Sequence, residues 1–402
     1  MVFAACVYRS RRRRRFYHFG SMKILHIVTG LMGGGAEFQL CRMCVLLQTA
    51  GFEQKVVSLL PDGTLSPRIR DAGIELTHLD LRRGGFDITG VMALRHIINQ
   101  YRPDVLHSWM YHACVYSAVA SAFIRQLPVL WSIHHSSLTF ADNSVSTLGA
   151  ASICGPLSYS RKVHIAYCAE SARLTHEARG YCRHRSVFIP NGYDGVRFRR
   201  STSAGEEIRS RFNISAGSPV FGLVARFDPI KDHATFLEAA SVVRQSHPKV
   251  TFLLIGEGVD ESNTALMDLV VRHGVDASVI LAGRCEDMVA AYSAFNSLVL
   301  SSRGEAFPNV ICEGMLCELP CIATDVGDCR AIVDDCGFIV PAGSASLLSE
   351  AMLRMLDLTD ATRAAMGNRA RERIVTNYSE ETALTAHLNL YASLARGGTF
   401  AT

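Results

Sequence analysis

Two pairs of ionisable residues stand out by type and spacing. Arg226 and Lys231 lie in ARFDPIKD, directly after the apolar run VFGLVA, and Glu305 and Glu313 lie in GEAFPNVICEGM, directly after SLVLS. One cation at a strand end and another at the next helix start converge on one crevice, which suits a diphosphate better than a neutral ligand. Carboxylates repel phosphate and accept from hydroxyls instead. Together the four residues fit a ligand that carries a diphosphate and sugar or ribose hydroxyls. The plainer alternatives are a solvated basic loop and two glutamates that merely favour a helix start.

The elements that must position these groups can be read around them. SLVLS has the pattern of a buried parallel strand. A loop with Arg303, Gly304 and Glu305 follows, then a helix with Pro308 at its first position, where a preset φ is favourable and the missing N–H costs nothing. The helix is expected to run through Glu313, on the same face as Asn309 and Val310, and to stop near Leu319-Pro320 before the strand CIAT. Its amino end, with free N–H groups and partial positive charge, is a natural phosphate seat.

Strand-like and amphipathic helical runs alternate along the chain, which predicts a doubly wound parallel α/β architecture. The first half offers KILHIVT, KVVSLL, ELTHL, VLHSW, VLWSI, HIAYC and VFIP as strands, with helices such as 36–50 and 88–100 between them. IPNGYD closes that series with an Asn-Gly turn signal. A second series then begins: VFGLVAR, VTFLLIG, SVILAG, SLVLS, CIAT and GFIV. The expected division is a basic extension at 1–21, a first domain at 22–195, a second at 196–376, and a closing helix at 377–402 that crosses back to the first domain.

Further candidates fall at the carboxyl edges of the strands, where ligands gather in parallel sheets. In GLMGGGAE, Gly34 and Gly35 let backbone approach a ligand, or serve only helix–strand packing. The order is not GxGxxG, so the dinucleotide fingerprint is not met. VLWSI ends in His134 and His135, which point to opposite faces. One of them faces the cleft, and a metal shared between them is not expected. Gly256, Gly283 and Arg284 close strands at the same edge. His107, Tyr111 and His112 could line the same cleft, but the preferred expectation is that they are ordinary packed or exposed residues. Residues 136–161, small and weakly periodic, read either as an apolar region facing an acceptor or membrane, or as a buried helix.

Composition narrows the class. The chain has 402 residues, 49% of them apolar, enough for two domains. Thirteen scattered cysteines, an odd number, form no disulfide framework and favour a reducing compartment. Cys41 and Cys44 read as core residues. Arg9 and Arg11 to Arg15 supply six positive charges, so the net charge of +4 falls to −2 once they are set aside, and nucleic-acid binding by the body is not indicated. Residues 1–21 lack the order of a secretory signal. They read as a disordered extension or over-extended reading frame, with a basic arm on anionic lipid as the functional alternative. No apolar run reaches the roughly 18 residues of a membrane span.

GEAFPNVICEGM, continued by PCIATDVGD, resembles the E-x7-E signature of retaining, nucleotide-sugar-dependent glycosyltransferases of the GT-B fold (group 1, family 4 type). GGGAE, WSIH, NGYD and ARFDPIKD follow the family's order, so the likeness covers nearly the whole chain from Met22. It implies two Rossmann-like domains facing a central cleft, a nucleoside-diphosphate sugar as donor, and neither cofactor nor metal; no Asp-x-Asp motif is present. It further implies that Glu305 touches the donor sugar, that Glu313 binds the ribose, and that backbone from Phe307, Pro308, Asn309 and Val310 holds the diphosphate and sugar. Arg226 and Lys231 would neutralise the leaving diphosphate. His134 would meet the sugar near the reacting carbon, with His135 as the alternative. Gly34 and Gly35 would lie across the cleft, and Gly256, Gly283 and Arg284 near nucleobase and ribose. The acceptor implied is a glycan or lipid-linked hydroxyl in bacterial surface polysaccharide assembly, at the cytoplasmic face of the membrane. The rivals are a nucleotide-sugar epimerase of similar shape, a partner subunit with a decayed site and, more weakly, an NAD-dependent oxidoreductase.

Overall fold

A computed structural model describes residues 22–124, 126–140 and 143–397. The expectation for residues 1–21 lies outside them. The first lobe runs β1 (Lys23–Val28), α1 (Gly35–Thr49), β2 (Glu53–Ser58), α2 (Ser66–Asp71), β3 (Glu75–His78), α3 (Ile88–Tyr101) and β4 (Val105–Trp109). It continues with α4 (Tyr111–Ala120), β5 (Val129–Ile133), α5 (Val145–Leu157), β6 (Val163–Tyr167), α6 (Glu170–Ala178) and β7 (Ser186–Phe188). All its strand pairs are parallel, in the order β3-β2-β1-β4-β5-β6-β7. Helices cover both faces, so β4, β5 and β6 are buried at every residue, their polar residues His107, Ser108, Ser132 and His164 included.

The second lobe runs α7 (Thr202–Arg211), β8 (Val220–Val224), α8 (His233–Ser246), β9 (Thr251–Ile255), α9 (Thr264–Arg272), β10 (Val279–Leu281) and α10 (Met288–Ala294). Next come β11 (Ser297–Leu300), α11 (Asn309–Leu316), β12 (Cys321–Thr324), α12 (Cys329–Val333) and β13 (Gly337–Val340). Three helices end the chain: α13 (Ala345–Asp357), α14 (Asp360–Asn377) and α15 (Glu380–Ala395). The strand order is β10-β9-β8-β11-β12-β13, again parallel. In each sheet the order reverses once, between β1 and β4 and between β8 and β11. The loops leaving the strands on either side of such a reversal diverge and open a crevice. β8 feeds the loop with Arg226 and Lys231, and β11 feeds the loop with Glu305. Pairing of β8 with β11 is what makes these distant segments neighbours.

The helix after β11 differs from expectation at both ends. Pro308 is the N-cap, with φ −73° and ψ 105°, rather than the first helical residue. α11 stops at Leu316, short of Leu319-Pro320, because Glu318 turns into the left-handed region at φ +62°. Residues 136–161 contain a true helix, α5, with Ala150, Ala151, Cys154 and Gly155 buried, as the buried-helix reading expects, and with Val145 76% exposed at its start. α15 packs on α1 and β4 of the first lobe. The described cysteines are all free and, except for Cys285, buried, Cys41 and Cys44 among them.

Candidate functional site

The loop after β8 is built by local capping. The Asp228 carboxylate accepts from Ile230 N–H at 3.0 Å, turning the chain so that Lys231 leaves at the end of a short 3₁₀ segment. Asp232, at φ +49°, then caps α8 by accepting from Thr235 N–H. Two bonds tie this loop to the one after β11: Arg303 N–H donates to Ile230 O at 2.7 Å, and Ser301 Oγ donates to Lys231 O at 2.9 Å. Lys231 Nζ therefore meets Glu305 Oε1 at 2.6 Å, and Ser302 Oγ donates to the same oxygen at 2.7 Å. Arg226 lies further out, its side chain 58% exposed and paired with Asp228 at 3.0 Å. Behind Glu305 the backbone is close-packed. A Cβ on Gly327, at φ +55°, would fall 2.3 Å from Glu305 O, so only glycine fits there.

The tip of α11 faces the first lobe. Asn309 Oδ1 accepts from Gln39 Nε2 at 3.2 Å, Asn191 Nδ2 at 3.3 Å and Tyr193 Oη at 2.6 Å. One turn on, Glu313 accepts from Arg42 Nη2 at 2.9 Å and from Tyr292 Oη at 3.2 Å. Burial works against the Arg42 charge, yet Glu313 outweighs it and raises the guanidinium pKa. Tyr193 and Phe198 lie beneath the same guanidinium, at 5.4 and 6.0 Å. Two more links close the cleft. Ser136 Oγ donates to Glu305 O, and the Asp328 carboxylate accepts from Glu170 and Ser171 N–H at 2.8 and 3.0 Å, across the amino end of α6.

The glycine loop sits where it can meet this tip. A Cβ on Gly35 would lie 3.3 Å from Asn309 Nδ2, so the first lobe approaches α11 closely here. Gly34 is the N-cap of α1, but its N–H and that of Gly33 donate to Glu37 Oε2 at 3.0 and 2.5 Å. The carboxylate of GGGAE thus occupies the amide of Gly34, one of the two glycines expected to meet a ligand, and that of Gly33, which is not one of them. Phe307 likewise turns its ring inward, 6% exposed between Tyr193 and Tyr378, leaving only its backbone toward the loop. Val310 is partly buried. Gly256 and Gly283 bond each other, Gly256 N–H donating to Gly283 O at 2.9 Å. Gly256 also lies so close to Ala225 O, 1.9 Å for an added Cβ, that its first role is packing. Arg284 pairs with Glu257 at 2.6 Å on the surface.

His134 stacks on Trp109 at 5.3 Å and 22°, and its N–H donates to Met110 Sδ at 3.4 Å. Burial, with His387 nearby, pushes its pKa down to about 3, so the imidazole is neutral at physiological pH. It borders a cavity of about 20 Å³ shared with Gln39, Trp109, Ser132, Asn191 and His387, room for about one water. His135 is partly buried, near His176. His107 is core, bonded to Tyr391 Oη and Ser132 Oγ at 2.7 Å each, and Tyr111 is core, bonded to His176 at 2.8 Å.

The structure thus brings Lys231, Glu305, Asn309, Glu313, Gly35 and His134 to one inter-lobe crevice, with Arg226 at its rim. Gly256, Gly283 and Arg284 stand along the same sheet edge. Sequence reasoning missed Gln39, Arg42, Asn191, Tyr193 and Asp328. One signal was available: Arg42 sits among Cys41, Met43, Cys44 and Leu47 on a largely buried helix, and a charge there needs a counter-charge. Among the described residues, no cluster of His, Cys, Asp and Glu could hold a metal, and no helix is long and apolar enough to cross a membrane.

Comparison with known proteins gives a consistent family. Residues 33–197 match the profile described as Glycosyltransferase Family 4, and residues 218–358 match that described as Glycosyl transferases group 1. The N-acetyl-alpha-D-glucosaminyl L-malate synthase of Bacillus anthracis is 23% identical over 193 residues, 47% of this chain and 49% of that one. The UDP-Gal:alpha-D-GlcNAc-diphosphoundecaprenol alpha-1,3-galactosyltransferase of Escherichia coli is 26% identical over 199 residues, 48% of this chain and 50% of that one. The chain spans about half the length of these curated relatives. The UDP complex of Anabaena HepE superposes with a TM-score of 0.81 at 21% identity, covering 92% of this chain and all of that one. A sucrose-phosphate synthase from Thermosynechococcus elongatus gives 0.79 at 20% identity, covering 94% and 100%. The architecture is the GT-B fold, and the chain belongs to the group 1 glycosyltransferases, with a family 4 amino-terminal domain.

Proposed function

We propose that the protein is a retaining glycosyltransferase that moves a sugar from a nucleoside diphosphate to a hydroxyl of a glycan or glycolipid acceptor. The observation that carries this reading is the contact of Lys231 with Glu305, 2.6 Å apart and immediately before the amino end of α11. A departing diphosphate needs positive groups that are already in place. Lys231, Arg226 and the α11 N–H groups supply them, so no metal is required for that task. Glu305 holds Lys231 in position until the donor enters, then turns its oxygens to sugar hydroxyls. Glu313 exchanges Tyr292 or Arg42 for ribose hydroxyls.

In the reaction the C1–O bond to the diphosphate breaks through an oxocarbenium-like transition state, and the acceptor oxygen bonds C1 on the same face. The acceptor proton passes to the leaving phosphate oxygen. His134, neutral and fixed by the Trp109 stack, donates or accepts a hydrogen bond at the sugar without adding charge beside the developing cation. The inter-lobe contacts of Asp328, Ser136 and Asn309 keep water from the donor. The E. coli relative's name specifies a UDP-sugar and a lipid diphosphate acceptor, and HepE binds UDP, so UDP-sugars and lipid-linked glycans are the first substrates to test. Work at the inner face of the plasma membrane in bacterial polysaccharide assembly fits such substrates.

The test is incubation with UDP-, GDP- and ADP-sugars plus a lipid-linked acceptor, followed by NMR of the product. A new glycosidic bond with the donor's anomeric configuration is expected. A free, epimerised nucleotide sugar or an inverted product contradicts the reading.

A further inference from the structure

We propose that Arg82, Arg83 and His112 form a separate anion site on the first lobe, which takes the phosphate ester of a lipid-linked acceptor. The inference rests on the glycosyltransferase reading and specifies the acceptor's chemistry. The segment that carries the arginines, between β3 and α3, is pinned across α4. Leu81 N–H donates to Leu59 O at 2.9 Å, and Asp87 N–H donates to Tyr116 Oη at 2.7 Å. The Phe86 ring lies 5.3 Å from that of Tyr116. Gly90 leaves no room for a side chain, since an added Cβ would fall 2.6 Å from Leu81 and 3.1 Å from Tyr116. Gly84, at φ +83°, rests against the Ser146 side chain at the start of α5, 3.4 Å for an added Cβ. The arginines therefore leave the backbone between the amino ends of α4 and α5.

His112 lies one turn before Tyr116, on the same face of α4 and beneath this segment. Its Nε2 is buried without a hydrogen-bond partner. Burial first, and Arg83 second, lower its pKa, which favours the neutral ring over the charged one. Arg82 and Arg83 are exposed, and among the described residues neither has a carboxylate within ion-pair distance. Most other arginines near the crevice are committed: Arg42 to Glu313, Arg226 to Asp228, Arg284 to Glu257 and Arg303 to Asp232. Two guanidiniums without a carboxylate, beside a buried imidazole nitrogen that lacks a partner, offer donors for a phosphate's oxygens once a ligand draws them together.

An apolar collar surrounds the charge. Phe86, Ile88, Met92 and Val145 are 58, 60, 65 and 76% exposed, with Ile88 and Met92 a turn apart on α3. A soluble anion gains nothing from them, whereas a phosphate ester with a hydrocarbon chain satisfies both surfaces. The location suits an acceptor. α4 begins directly after Met110, whose sulfur accepts the His134 N–H, so the site borders the reacting centre from the first lobe.

Calorimetric titration of the full chain with farnesyl phosphate, below its micelle concentration, tests the site. Inorganic phosphate and phosphatidylglycerol vesicles serve as the comparison ligands. Farnesyl phosphate is expected to bind at least about tenfold tighter than inorganic phosphate. Arg82→Gln/Arg83→Gln should weaken it at least about tenfold, and Arg226→Ala/Lys231→Ala by less than about twofold. Equal binding by the Arg82/Arg83 variant overturns the proposal. So does a loss confined to, or shared by, the Arg226/Lys231 variant, which moves the ligand to the donor cleft. Vesicle binding without farnesyl phosphate binding overturns it in favour of a headgroup contact. UDP titrated into the same proteins reads the donor cleft separately. Failure of the wild type to bind UDP counts against a UDP-sugar donor and leaves the farnesyl phosphate result standing.

Discussion

Around the tip of α11, charge is held in pairs: Lys231 on Glu305 at 2.6 Å, Arg303 on Asp232 at 2.7 Å, Glu313 on Arg42 at 2.9 Å. Around the amino end of α4, Arg82 and Arg83 stand without a carboxylate among the described residues, and the nearby His112, His134 and His107 are shifted toward neutrality by burial. In the first arrangement each cation is already held by a carboxylate, with Lys231 and Arg42 largely buried and Arg303 mostly exposed, which suits the proposed stabilisation of charge that appears during a reaction. The second suits charge that arrives with a ligand and stays with it. Of these pairs, Arg42 with Glu313 also ties the first lobe to the second, so it carries a structural role that Arg82 and Arg83 do not.

That contrast can be broken most sharply at Arg42. Arg42→Met strips the counter-charge from a largely buried Glu313 and should destabilise the protein by about 3 kcal/mol in denaturant unfolding, whereas Arg82→Gln should cost under about 0.5 kcal/mol. Adding Glu313→Gln should recover most of the Arg42→Met loss. Full additivity of the two changes would show that the pair is not coupled.

Acid tests the buried histidines instead of the ion pairs, with a cost that accumulates over each pH unit. His26 has its pKa pushed to about 3 and His387 to about 4, in each case mainly by burial. The unfolded chain therefore binds protons that the native state refuses between pH 6.5 and 4. Stability from these groups is complete above pH 6.5 and falls as pH drops through that window, by about 1.4 kcal/mol per pH unit for each histidine. Melting temperature against pH should show this slope, and His387→Gln should flatten it. A slope unchanged in that variant contradicts the assignment.

The smallest effect is expected at Asp328. Asp328→Asn loses one of two charge-assisted bonds to the amino end of α6, worth about 1–2 kcal/mol. Small-angle scattering should then report a larger radius of gyration as the lobes part. An unchanged radius would mean that Asp328 does not hold the cleft shut.

How far the sequence foretold this arrangement depends on how local each feature is. Among the described residues the central strands β5, β11 and β12 are visible as mainly apolar runs because they are buried on both faces, whereas the edge strands β3 and β7 are partly exposed and are marked mainly by their place in the alternation. Lys231 and Glu305 were legible because each sits beside its own helix start, and β8–β11 pairing does the rest. Asn309 was legible as helix-tip backbone, but its side-chain partners Gln39, Asn191 and Tyr193 lie 270, 118 and 116 residues away. Such contacts depend on how two lobes meet, which no local periodicity encodes. The same holds for Asp328 on α6, 158 residues apart. Gly34 adds a local contact that its glycine run does not announce: its amide donates to Glu37, three residues on.

The central claim is that Lys231, backed by Arg226 and the α11 tip, receives a diphosphate. Binding of UDP, GDP and ADP to wild type, Lys231→Ala and Arg226→Ala/Lys231→Ala, measured by calorimetry, tests it directly. The account predicts that one nucleoside diphosphate binds the wild type, that Lys231→Ala weakens it at least about tenfold, and that the double variant weakens it further. Equal affinity in all three proteins, with their folds intact, would contradict it.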